Sequence, residues 1–442
     1  MRFKVWCLVA ILAVCSVGNA NALTEVEPVL ETPARLGDIE GNDNDPDDPA
    51  IWIHPKDRSK SLVICTLKEG GMDVYDLEGV RIQHVTPKPV PGVASNPGRF
   101  NNVDIVFAGK NTWMKNDLAV VADRYNDMLR IFKISRSRLD RGMDPLVEIT
   151  AKNQATIFNN NPEEVAEGDF TTYGLGVAQP SGRFGKTFVY VSQNDRTTLA
   201  KLVLVPMPNG KVAYKVVAKH NLPESYQLPD GTVWDAAQDD DCEDSHVEGI
   251  VVDDENGFVY FGQEQVGIWK GPIKNTFANL TLIDKVNEYG VPYLRTWNEE
   301  EEEYDIDLLW DQDKDYGSDY LAEDVEGLTI YDAGNGEGYL IASSQGSDQF
   351  VVYDRKTNAY IGNFEVVENQ DEEIDGAQES DGAAVTNLNL GGEFATGLLV
   401  VQDGENTPEI LDEEGEGIDN ANFKYVPWGE IAQKMGLTVN NR

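Results

Sequence analysis

The chain has 442 residues, and its 77 Asp and Glu against 36 Lys and Arg give a formal net charge of −41 at pH 7. A charge of this sign and size excludes a protein that binds nucleic acid or an anionic membrane through its bulk charge. Hydrophobic residues make up 41% of the chain, which supplies enough apolar material for a large packed core and excludes a disordered chain.

The start of the chain has the pattern of a secretory signal peptide, which we assign to residues 1–22. Arg2 and Lys4 give a positive start, residues 6–17 form an apolar stretch too short to span a bilayer, and Ala20-Asn-Ala22 fits a small-x-small cleavage site. No other apolar stretch approaches the ~20 residues of a membrane span. We therefore expect a mature chain that begins at Leu23, lacks a membrane anchor and is secreted or periplasmic.

The cysteines bear on processing and on the redox state. Lipoprotein processing at Cys15 is the alternative to cleavage after Ala22, but Val14 is larger than the residue that such sites prefer. Cleavage leaves Cys65, in an apolar strand-like run, and Cys242, in a polar loop far along the chain. We predict two separate thiols, with one disulfide as the alternative.

Short apolar runs recur six times along the mature chain, and a second apolar run follows most of them after a turn. The first runs begin at Leu62, Leu118, Phe188, Phe258, Tyr339 and Leu398. Their spacing of 56 to 81 residues leaves room for four strands in each repeat. A further strand that opens with polar residues precedes each run, as in Asp47-Asp-Pro-Ala-Ile-Trp52 and Val247-Glu-Gly-Ile250.

Six such repeats, which leave no long exposed edge, predict an all-β fold. We expect a six-bladed β-propeller of four-stranded antiparallel blades that occupies residues 23–442 as a single domain and acts as a monomer. A pair of β-sandwiches is the alternative. Long helical periodicity is absent outside Trp428–Met435.

The topology predicts where polar side chains converge. If the first strand of each blade is innermost, its start lies on the same face of the disc as the end of the second strand. An inner ring on that face then contains Asp47, Asp48, Asn101, Asn102, Tyr173, Glu248, Glu326 and Asp381. A second ring contains Lys68, Arg124, Asn194, Asp195, Arg196, Glu264, Gln345 and Asp403.

The two rings indicate a metal-assisted reaction on a phosphate ester. Clustered carboxylates in a chain with only 4 His favour a hard cation such as Ca²⁺ over Zn²⁺ or Cu²⁺. Lys68, Arg124 and Arg196 are expected in a sector opposite the carboxylates, where they would hold a phosphate group. We interpret His246 as an ordinary strand-edge histidine, with a ligand role beside Glu248 as the alternative. The predicted reaction is metal-assisted phosphomonoester hydrolysis.

Several long motifs resemble the β-propeller phytases. They include Asn101-Asn-Val-Asp-Ile105, Glu326-Gly-Leu-Thr-Ile-Tyr331, Gln402-Asp-Gly-Glu-Asn406 and Asn422-Phe-Lys-Tyr-Val-Pro-Trp428. The resemblance extends from Asp47 to Met435. It implies a six-bladed propeller that releases phosphate from calcium-complexed phytate, myo-inositol hexakisphosphate, and that uses several Ca²⁺ ions, some structural and some around the scissile phosphate and the attacking water.

The resemblance also implies roles for individual residues. Catalytic-calcium positions correspond to Asp47, Glu248, Glu264, Asp324, Glu326, Gln345 and Asp375. Positions that contact the scissile phosphate correspond to Lys68, Arg124 and Tyr173. Positions near structural calcium sites correspond to Asp48, Asn102, Val103, Asp381, Asp403 and Asn406.

The chain departs from the family pattern in the substrate-binding residues. Lys68-Glu69 stands where well-known members carry paired lysines, and Asn194-Asp195 stands where they carry Lys-Glu. We hypothesise that Arg196 supplies the missing charge, so that Asn194, Asp195 and Arg196 contribute to substrate binding. Two acidic insertions, at residues 223–244 and 297–319, are expected either to cap the face or to bind extra Ca²⁺.

The function predicted first is a secreted, calcium-dependent phytase in which metal-activated water is the nucleophile. Two alternatives remain open from the residues. One is a calcium-dependent lactonase or arylesterase propeller, which would not need the Lys and Arg residues. The other is a non-catalytic extracellular propeller that binds phosphate esters or calcium.

Overall fold

A computed structural model describes residues 23–37, 45–89, 97–108, 114–179, 185–236, 245–298, 303–310, 316–411, 415 and 417–440. The chain forms six antiparallel sheets arranged as a six-bladed β-propeller, which confirms the predicted fold class. The signal segment and Cys242 lie outside the described residues, whereas Cys65 is a buried free thiol. Within the described part, no helix is long and apolar enough to cross a membrane.

The first half of the chain contains three N-terminal strands and blades 1 to 3. The N-terminal strands are β1 (Thr24–Val26), β2 (Leu30–Glu31) and β3 (Arg35–Leu36). Blade 1 consists of β4 (Pro49–Trp52), β5 (Leu62–Thr66), β6 (Met72–Tyr75) and β7 (Arg81–Val85). Blade 2 consists of β8 (Phe100–Val106), β9 (Leu118–Asp123), β10 (Met128–Ile134) and β11 (Leu146–Glu148), with helix α1 (Arg136–Leu139) after β10. Helix α2 (Pro162–Glu167) precedes blade 3, which consists of β12 (Thr172–Ala178), β13 (Phe188–Gln193), β14 (Thr198–Pro206) and β15 (Val212–Asn221).

The second half contains blades 4 to 6 and three added hairpins. Hairpin β16 (Ser225–Gln227) and β17 (Val233–Asp235) precedes blade 4, which consists of β18 (Val247–Asp253), β19 (Phe258–Gln263), β20 (Gly267–Pro272) and β21 (Thr281–Lys285). Hairpin β22 (Tyr293–Asn298) and β23 (Glu303–Leu308) precedes blade 5, which consists of β24 (Val325–Gly334), β25 (Glu337–Ser344), β26 (Gln349–Asp354) and β27 (Tyr360–Val366). Blade 6 contains β28 (Ala383–Thr386), β29 (Leu398–Asp403) and β32 (Asn420–Pro427), with hairpin β30 (Ile410–Leu411) and β31 (Gly417–Ile418) before β32. Helix α3 (Trp428–Met435) follows, as the sequence predicts.

The N-terminal strands close the ring of blades. Strand β2 pairs antiparallel with β32 and supplies the fourth strand of blade 6, and β1 adds a parallel fifth strand to blade 5. The Arg35 guanidinium reaches the next blade, where its Nε lies 2.7 Å from Oδ2 of the buried Asp73. A fourth strand of blade 6 drawn from the N-terminus is a feature that the sequence analysis did not predict.

The core lies mainly between neighbouring blades. Ile64 and Trp52 of blade 1 pack with Phe132 of blade 2, and Tyr260 of blade 4 packs with residues of blades 3 and 5. The innermost strands contact one another around the whole ring, from β4 to β28 and back to β4. The six innermost strands therefore line one closed ring, and the site face lies at their starting ends.

Candidate active site

The innermost strands present their first polar side chains through a shared irregularity. In blades 2 to 5 the register of the first strand shifts over two residues, which are Asn101-Asn102, Tyr173-Gly174, Glu248-Gly249 and Glu326-Gly327. Such β-bulges bend a strand and redirect a side chain, and they concentrate near active sites. The bulges turn Tyr173, Glu248 and Glu326 towards the axis of the propeller.

Glycine after the bulged residue lets neighbouring inner strands approach closely. A Cβ at Gly249 would lie 1.9 Å from the carbonyl oxygen of Glu326, and a Cβ at Gly174 would lie 2.0 Å from that of Glu248. No side chain fits at those distances, so only glycine allows this spacing. The same close approach brings the carboxylates of successive blades together.

Three buried glutamates form the centre of the site. Glu248, Glu264 and Glu326 each offer a carboxylate oxygen, and these oxygens lie within 4.8 Å of one another. Burial and the other two carboxylates raise the pKa of Glu326 well above its ordinary value. Burial also raises the pKa of Glu264 to about 7, although His246 opposes the shift. Like charges held this close favour either protonation or a bound cation.

Tyrosine, histidine and arginine side chains surround the three glutamates. The Tyr173 hydroxyl donates to Glu248 Oε2 at 2.5 Å, and the His246 Nε2 lies 2.9 Å from Glu264 Oε1. The Tyr173 and His246 rings meet edge to face, with their centroids 4.8 Å apart. The Arg124 guanidinium carbon lies over the Tyr173 ring, 5.2 Å from the ring centroid. His246 therefore belongs to the site, contrary to our interpretation of it as an ordinary strand-edge residue.

Lys68 extends the site towards blades 1 and 6. Its Nζ lies 2.6 Å from Asp45 Oδ2 and 3.5 Å from Asp381 Oδ2. Burial alone would lower the pKa of Lys68, but the carboxylates of Asp381, Asp45 and Asp47 outweigh burial and raise it. The prediction of a basic sector separate from the carboxylates is therefore wrong for Lys68, which lies among them.

Asp47 and Asp381 complete this side of the site. Asp47 is fully buried, and neither of its carboxylate oxygens has a hydrogen-bond partner among the described residues. Burial, followed by the nearby Glu248, raises the pKa of Asp47 well above its ordinary value. Burial raises the pKa of Asp381 to about 7, and the Gln345 amide donates to its Oδ1 at 2.8 Å.

The chain resembles known proteins along most of its length. The sequence profile described as Phytase matches residues 4–166 and 296–441. The chain is also 30% identical over 422 residues to the 3-phytase of Bacillus subtilis (strain 168). This alignment covers 95% of this chain and 86% of that protein. The chain belongs to the phytase family. With its six blades it is a β-propeller phytase, an enzyme that hydrolyses phytate.

The comparison with solved structures also gives the β-propeller domain of Cps50 (Swd1) from Myceliophteria thermophila. That domain shares 9% sequence identity with the phytase, covers 86% of this chain and 84% of its own, and gives a TM-score of 0.40.

The positions at which we predict substrate binding in blade 3, Asn194, Asp195 and Arg196, lie beside the glutamates. The buried Asn194 donates from its Nδ2 to Asp195 Oδ2 at 2.5 Å, and Asp195 Oδ1 lies 3.9 Å from His246 Nδ1. The Arg196 guanidinium carbon lies 3.8 Å from the centroid of the Phe170 ring, and its Nη1 donates to the Asp195 carbonyl at 2.7 Å. The hypothesis that Arg196 replaces the missing lysine charge stays a prediction.

Arg99 is a residue of the phytase site that sequence reasoning missed. Its Nε lies 3.2 Å from Glu69 Oε1, which also accepts from the Tyr125 hydroxyl at 2.6 Å. Arg99 is close enough to Arg124 to help burial lower the pKa of Arg124. Glu69, where the family pattern has a second lysine, is thus paired with a cation. Arg99 directly precedes β8, two residues before the Asn101-Asn102 pair, and this position is the signal for it in the sequence.

The Asp48, Asn102 and Val103 positions of the phytase lie below the site, inside the ring. They line a cavity of about 200 Å³ near the propeller axis. The Val103 N–H donates to Asp48 Oδ2 at 2.9 Å, while Asn102 Oδ1 is buried and has no partner among the described residues. Burial raises the pKa of Asp48 well above its ordinary value.

Asp375, Asp403 and Asn406 lie apart from the three glutamates, around the buried Lys424. The Lys424 Nζ contacts Asp375, lies 3.0 Å from Asp403 Oδ2 and donates to Asn406 Oδ1 at 3.0 Å. It also lies 2.6 Å from Glu31 Oε2 in β2. The structure therefore does not bring Asp375 to the glutamate cluster, and a calcium site around these residues stays a prediction.

The first acidic insertion of the phytase packs against blade 4 and against the segment that precedes the second insertion. The rings of Trp234 and Tyr289 have centroids 4.8 Å apart, and Trp234 Nε1 donates to the Val291 carbonyl at 3.0 Å. The Tyr226 hydroxyl donates to Gln263 Oε1 at 2.9 Å, and Gln263 directly precedes Glu264 in the chain. Parts of both insertions lie outside the described residues. The choice between capping and calcium binding stays open.

Asp324 lies next to Glu264, on the blade 5 side of the cluster. Its carboxylate accepts from Gln265 Nε2 at 3.2 Å and adds to the raised pKa of Glu264. The Val325 N–H donates to the Glu264 carbonyl at 3.3 Å, which fixes the two segments together.

Proposed function

We propose that this phytase is a secreted, calcium-dependent phosphomonoesterase. It hydrolyses phytate to lower inositol phosphates and inorganic phosphate by direct attack of water, without a phosphoenzyme. The observation that carries the proposal is the cluster of three buried glutamates, whose oxygens lie within 4.8 Å of one another beside Arg124.

The donors of this cluster suit a hard divalent cation. All of them are carboxylate oxygens, and two nearby oxygens of Asp47 and one of Glu326 are buried without a hydrogen-bond partner among the described residues. Calcium prefers six to eight oxygen ligands, mostly from carboxylates, carbonyls and water. Glu248, Glu264 and Glu326 would hold the ion, with Asp47, Asp324, Asp381 and Gln345 as further donors. A bound Ca²⁺ would supply positive charge that favours ionisation of water and offsets charge on the phosphate oxygens.

The basic side chains hold the phosphate group. Arg124 has a buried Nε without a partner among the described residues, and its planar guanidinium suits two oxygens of one phosphate. Lys68 approaches from the Asp381 side and supplies a point charge. The Tyr173 hydroxyl stays protonated, because burial and Glu248 raise its pKa, so its single proton positions Glu248.

Phosphate release from phytate tests the calcium requirement. The purified chain from residue 23 to residue 442 should release inorganic phosphate in millimolar Ca²⁺, lose this activity in EGTA and regain it when Ca²⁺ is restored. Calcium should also raise the midpoint of thermal unfolding, because it binds the folded state. Activity that is unchanged in EGTA would contradict the calcium requirement.

Glu248→Gln tests the position of the ion, with Glu393→Gln as the matched control on an exposed turn. Glu248→Gln should abolish turnover and reduce the calcium-induced rise in the unfolding midpoint, and Glu393→Gln should change neither. A Glu248→Gln variant that keeps both properties would refute the assignment.

For secretion, the exported protein should begin at Leu23, as N-terminal sequencing would show.

A further inference from the structure

A second polar cavity lies on the face of the propeller opposite the candidate active site, between blades 1 and 2. It has a volume of about 320 Å³. Its walls come from the segment after β4, the segment before β9 and the segment after β10, which are the strand ends far from the glutamates. None of the residues that carry the proposed phytase mechanism lines it.

Three cations line this cavity without a carboxylate partner. Lys56 and Arg136 are exposed, Lys133 is half-buried, and none of the three forms an ion pair among the described residues. In a chain with 77 acidic and 36 basic residues, unpaired cations at one place are unexpected. Solvent screening limits the reach of the overall negative charge to about 8 Å at physiological salt, so the charges that line the cavity set its local potential.

The two carboxylates at the cavity are already engaged by other donors. Asp117 accepts from Trp52 Nε1 at 3.0 Å and from the Ala108 N–H at 2.8 Å. Asp140 accepts from Lys60 Nζ at 3.0 Å, a contact that joins blade 1 to blade 2. Both carboxylates keep their charge, but neither forms an ion pair with Lys56, Lys133 or Arg136, and Asp140 is also paired with Lys60, so cations outnumber carboxylates at the cavity.

Neutral hydrogen-bond donors complete the wall. His54 Nδ1 accepts from the Asp57 N–H at 2.9 Å and the Lys56 N–H at 3.3 Å, which places the ring proton on Nε2. That Nε2 is buried and has no partner among the described residues, and burial lowers the pKa of His54 so that the ring is neutral. The hydroxyls of Ser135 and Ser137 lie 3.5 Å apart at the same cavity.

We propose that this cavity is a second anion site, which binds the phosphate group of inorganic phosphate or of a phosphomonoester. A tetrahedral phosphate dianion presents several acceptor oxygens and no strong donor, and it matches three cations with imidazole and hydroxyl donors. Phytate hydrolysis releases inorganic phosphate, so the ligand is available wherever the enzyme works. The inference does not depend on the calcium mechanism proposed for the other face.

Histidine nitrogen signals allow a direct test, because the chain has only 4 His. The full mature chain is labelled with ¹⁵N-histidine and titrated with inorganic phosphate in EGTA at constant ionic strength. The His54 signal should shift and saturate with a midpoint below about 10 mM. His84 and His220 serve as internal references, and His246 reports separately on the candidate active site.

A double variant, Lys133→Ala with Arg136→Ala, should weaken the response of His54 at least tenfold. The matched control is Lys152→Ala with Lys215→Ala, which removes two exposed cations elsewhere and should leave it unchanged. Retained phytate hydrolysis would show that the variants fold. If the double variant does not fold, the single variant Arg136→Ala takes its place.

Three results would overturn the proposal. The first is no shift of the His54 signal up to about 100 mM phosphate. The second is the same shift of this signal in the double variant as in wild type. The third is an equal shift when chloride replaces phosphate at matched ionic strength. Methyl phosphate distinguishes the two sources of the ligand. An equal shift with methyl phosphate assigns the site to phosphomonoesters, and a shift with inorganic phosphate alone assigns it to the free product.

Discussion

The Tyr173 hydroxyl donates to Glu248 Oε2 at 2.5 Å, and this hydrogen bond joins the innermost strands of blades 3 and 4. Both residues are the first of a bulged pair that ends in glycine, so the same backbone irregularity aims the donor and the acceptor at each other. Edge-on packing against His246 fixes the Tyr173 ring in place. The orientation of Glu248 therefore depends on a residue of the neighbouring blade.

Tyr173→Phe should lower kcat/KM for phytate by about 10- to 100-fold, since a hydrogen bond to a charged group contributes about 1.5–3 kcal/mol. The variant should also need a higher Ca²⁺ concentration for half-maximal activity, because Glu248 loses its orienting donor. Tyr190→Phe is the control, because that hydroxyl bonds Thr276 Oγ1 at 2.7 Å on the outer part of blades 3 and 4. Equal kinetics for both variants would refute a role for the Tyr173 hydroxyl.

Arg99 is expected to contribute to phosphate binding together with Arg124. Arg99→Ala should raise KM for phytate by about tenfold with a smaller change in kcat, because it removes a cation held beside the site by Glu69. Arg99→Lys should retain most of the affinity. Arg196→Ala, measured in parallel, decides between the two arginines as the replacement for the missing lysine. A normal KM for Arg99→Ala would exclude Arg99.

Asp127 should make the stability of the enzyme depend on pH. It lies in blade 2, away from the glutamates, where its Oδ2 accepts from the Phe158 and Asn159 N–H groups and its Oδ1 from the Thr172 hydroxyl. Burial outweighs these bonds and raises the pKa of Asp127 to about 6, from an ordinary value of 3.8. Between these two values the folded state binds more protons than the unfolded state, so the free energy of unfolding falls as pH rises.

Asp127→Asn should remove this contribution. The backbone conformation of residue 127 has φ 45°, which asparagine tolerates well. Relative to the variant, wild type should lose on the order of 3 kcal/mol between about pH 4 and pH 7. Urea denaturation of both proteins across that range measures the difference. Parallel curves for the two proteins would contradict the expected titration of Asp127.

The ring of site residues was predictable because it follows from strand order. Tyr173, Glu248 and Glu326 each stand next to a glycine at the start of an innermost strand, and this pattern is visible in the chain. Glu264 and Lys68 follow the second strands, as the topology requires. Any antiparallel blade with these strand starts presents those side chains on one face.

The remaining features depend on contacts that are distant in sequence. Glu31 and Lys424 are separated by 393 residues, so local patterns could not predict the N-terminal closing strand or its ion pair. Arg99 was missed because a basic residue before a strand is usually solvated, and its role follows only from its contact with Glu69. His246 was misread for the same reason, since its partner Glu264 follows the next strand of the blade, 18 residues along the chain.

Gly249→Ala should disturb the site through the backbone. The added Cβ would lie 1.9 Å from the Glu326 carbonyl oxygen, so the inner strands of blades 4 and 5 must separate. We expect destabilisation of about 1–3 kcal/mol and a larger relative loss of activity, because Glu248 and Glu326 move apart. Gly362→Ala is the control, since its nearest neighbour is the flexible end of Met435 at 3.2 Å. Similar activity in both variants would show that inner-strand spacing does not limit catalysis.

Lys424→Met tests whether the buried ion-pair network stabilises the closed ring. Lys424 is fully buried. Its ammonium joins Glu31 of β2 to Asp403 of β29 in blade 6 and to Asp375, which precedes that blade. Removing the cation leaves three carboxylates facing one another in a buried place, so the free energy of unfolding should fall by about 3–5 kcal/mol. Lys356→Met breaks an exposed pair with Glu337 and should cost less than about 1 kcal/mol. Urea denaturation at neutral pH measures both values. If the two variants lose the same stability, the network does not stabilise the closure, and the pairing of β2 with β32 holds the ring by its backbone bonds and packing.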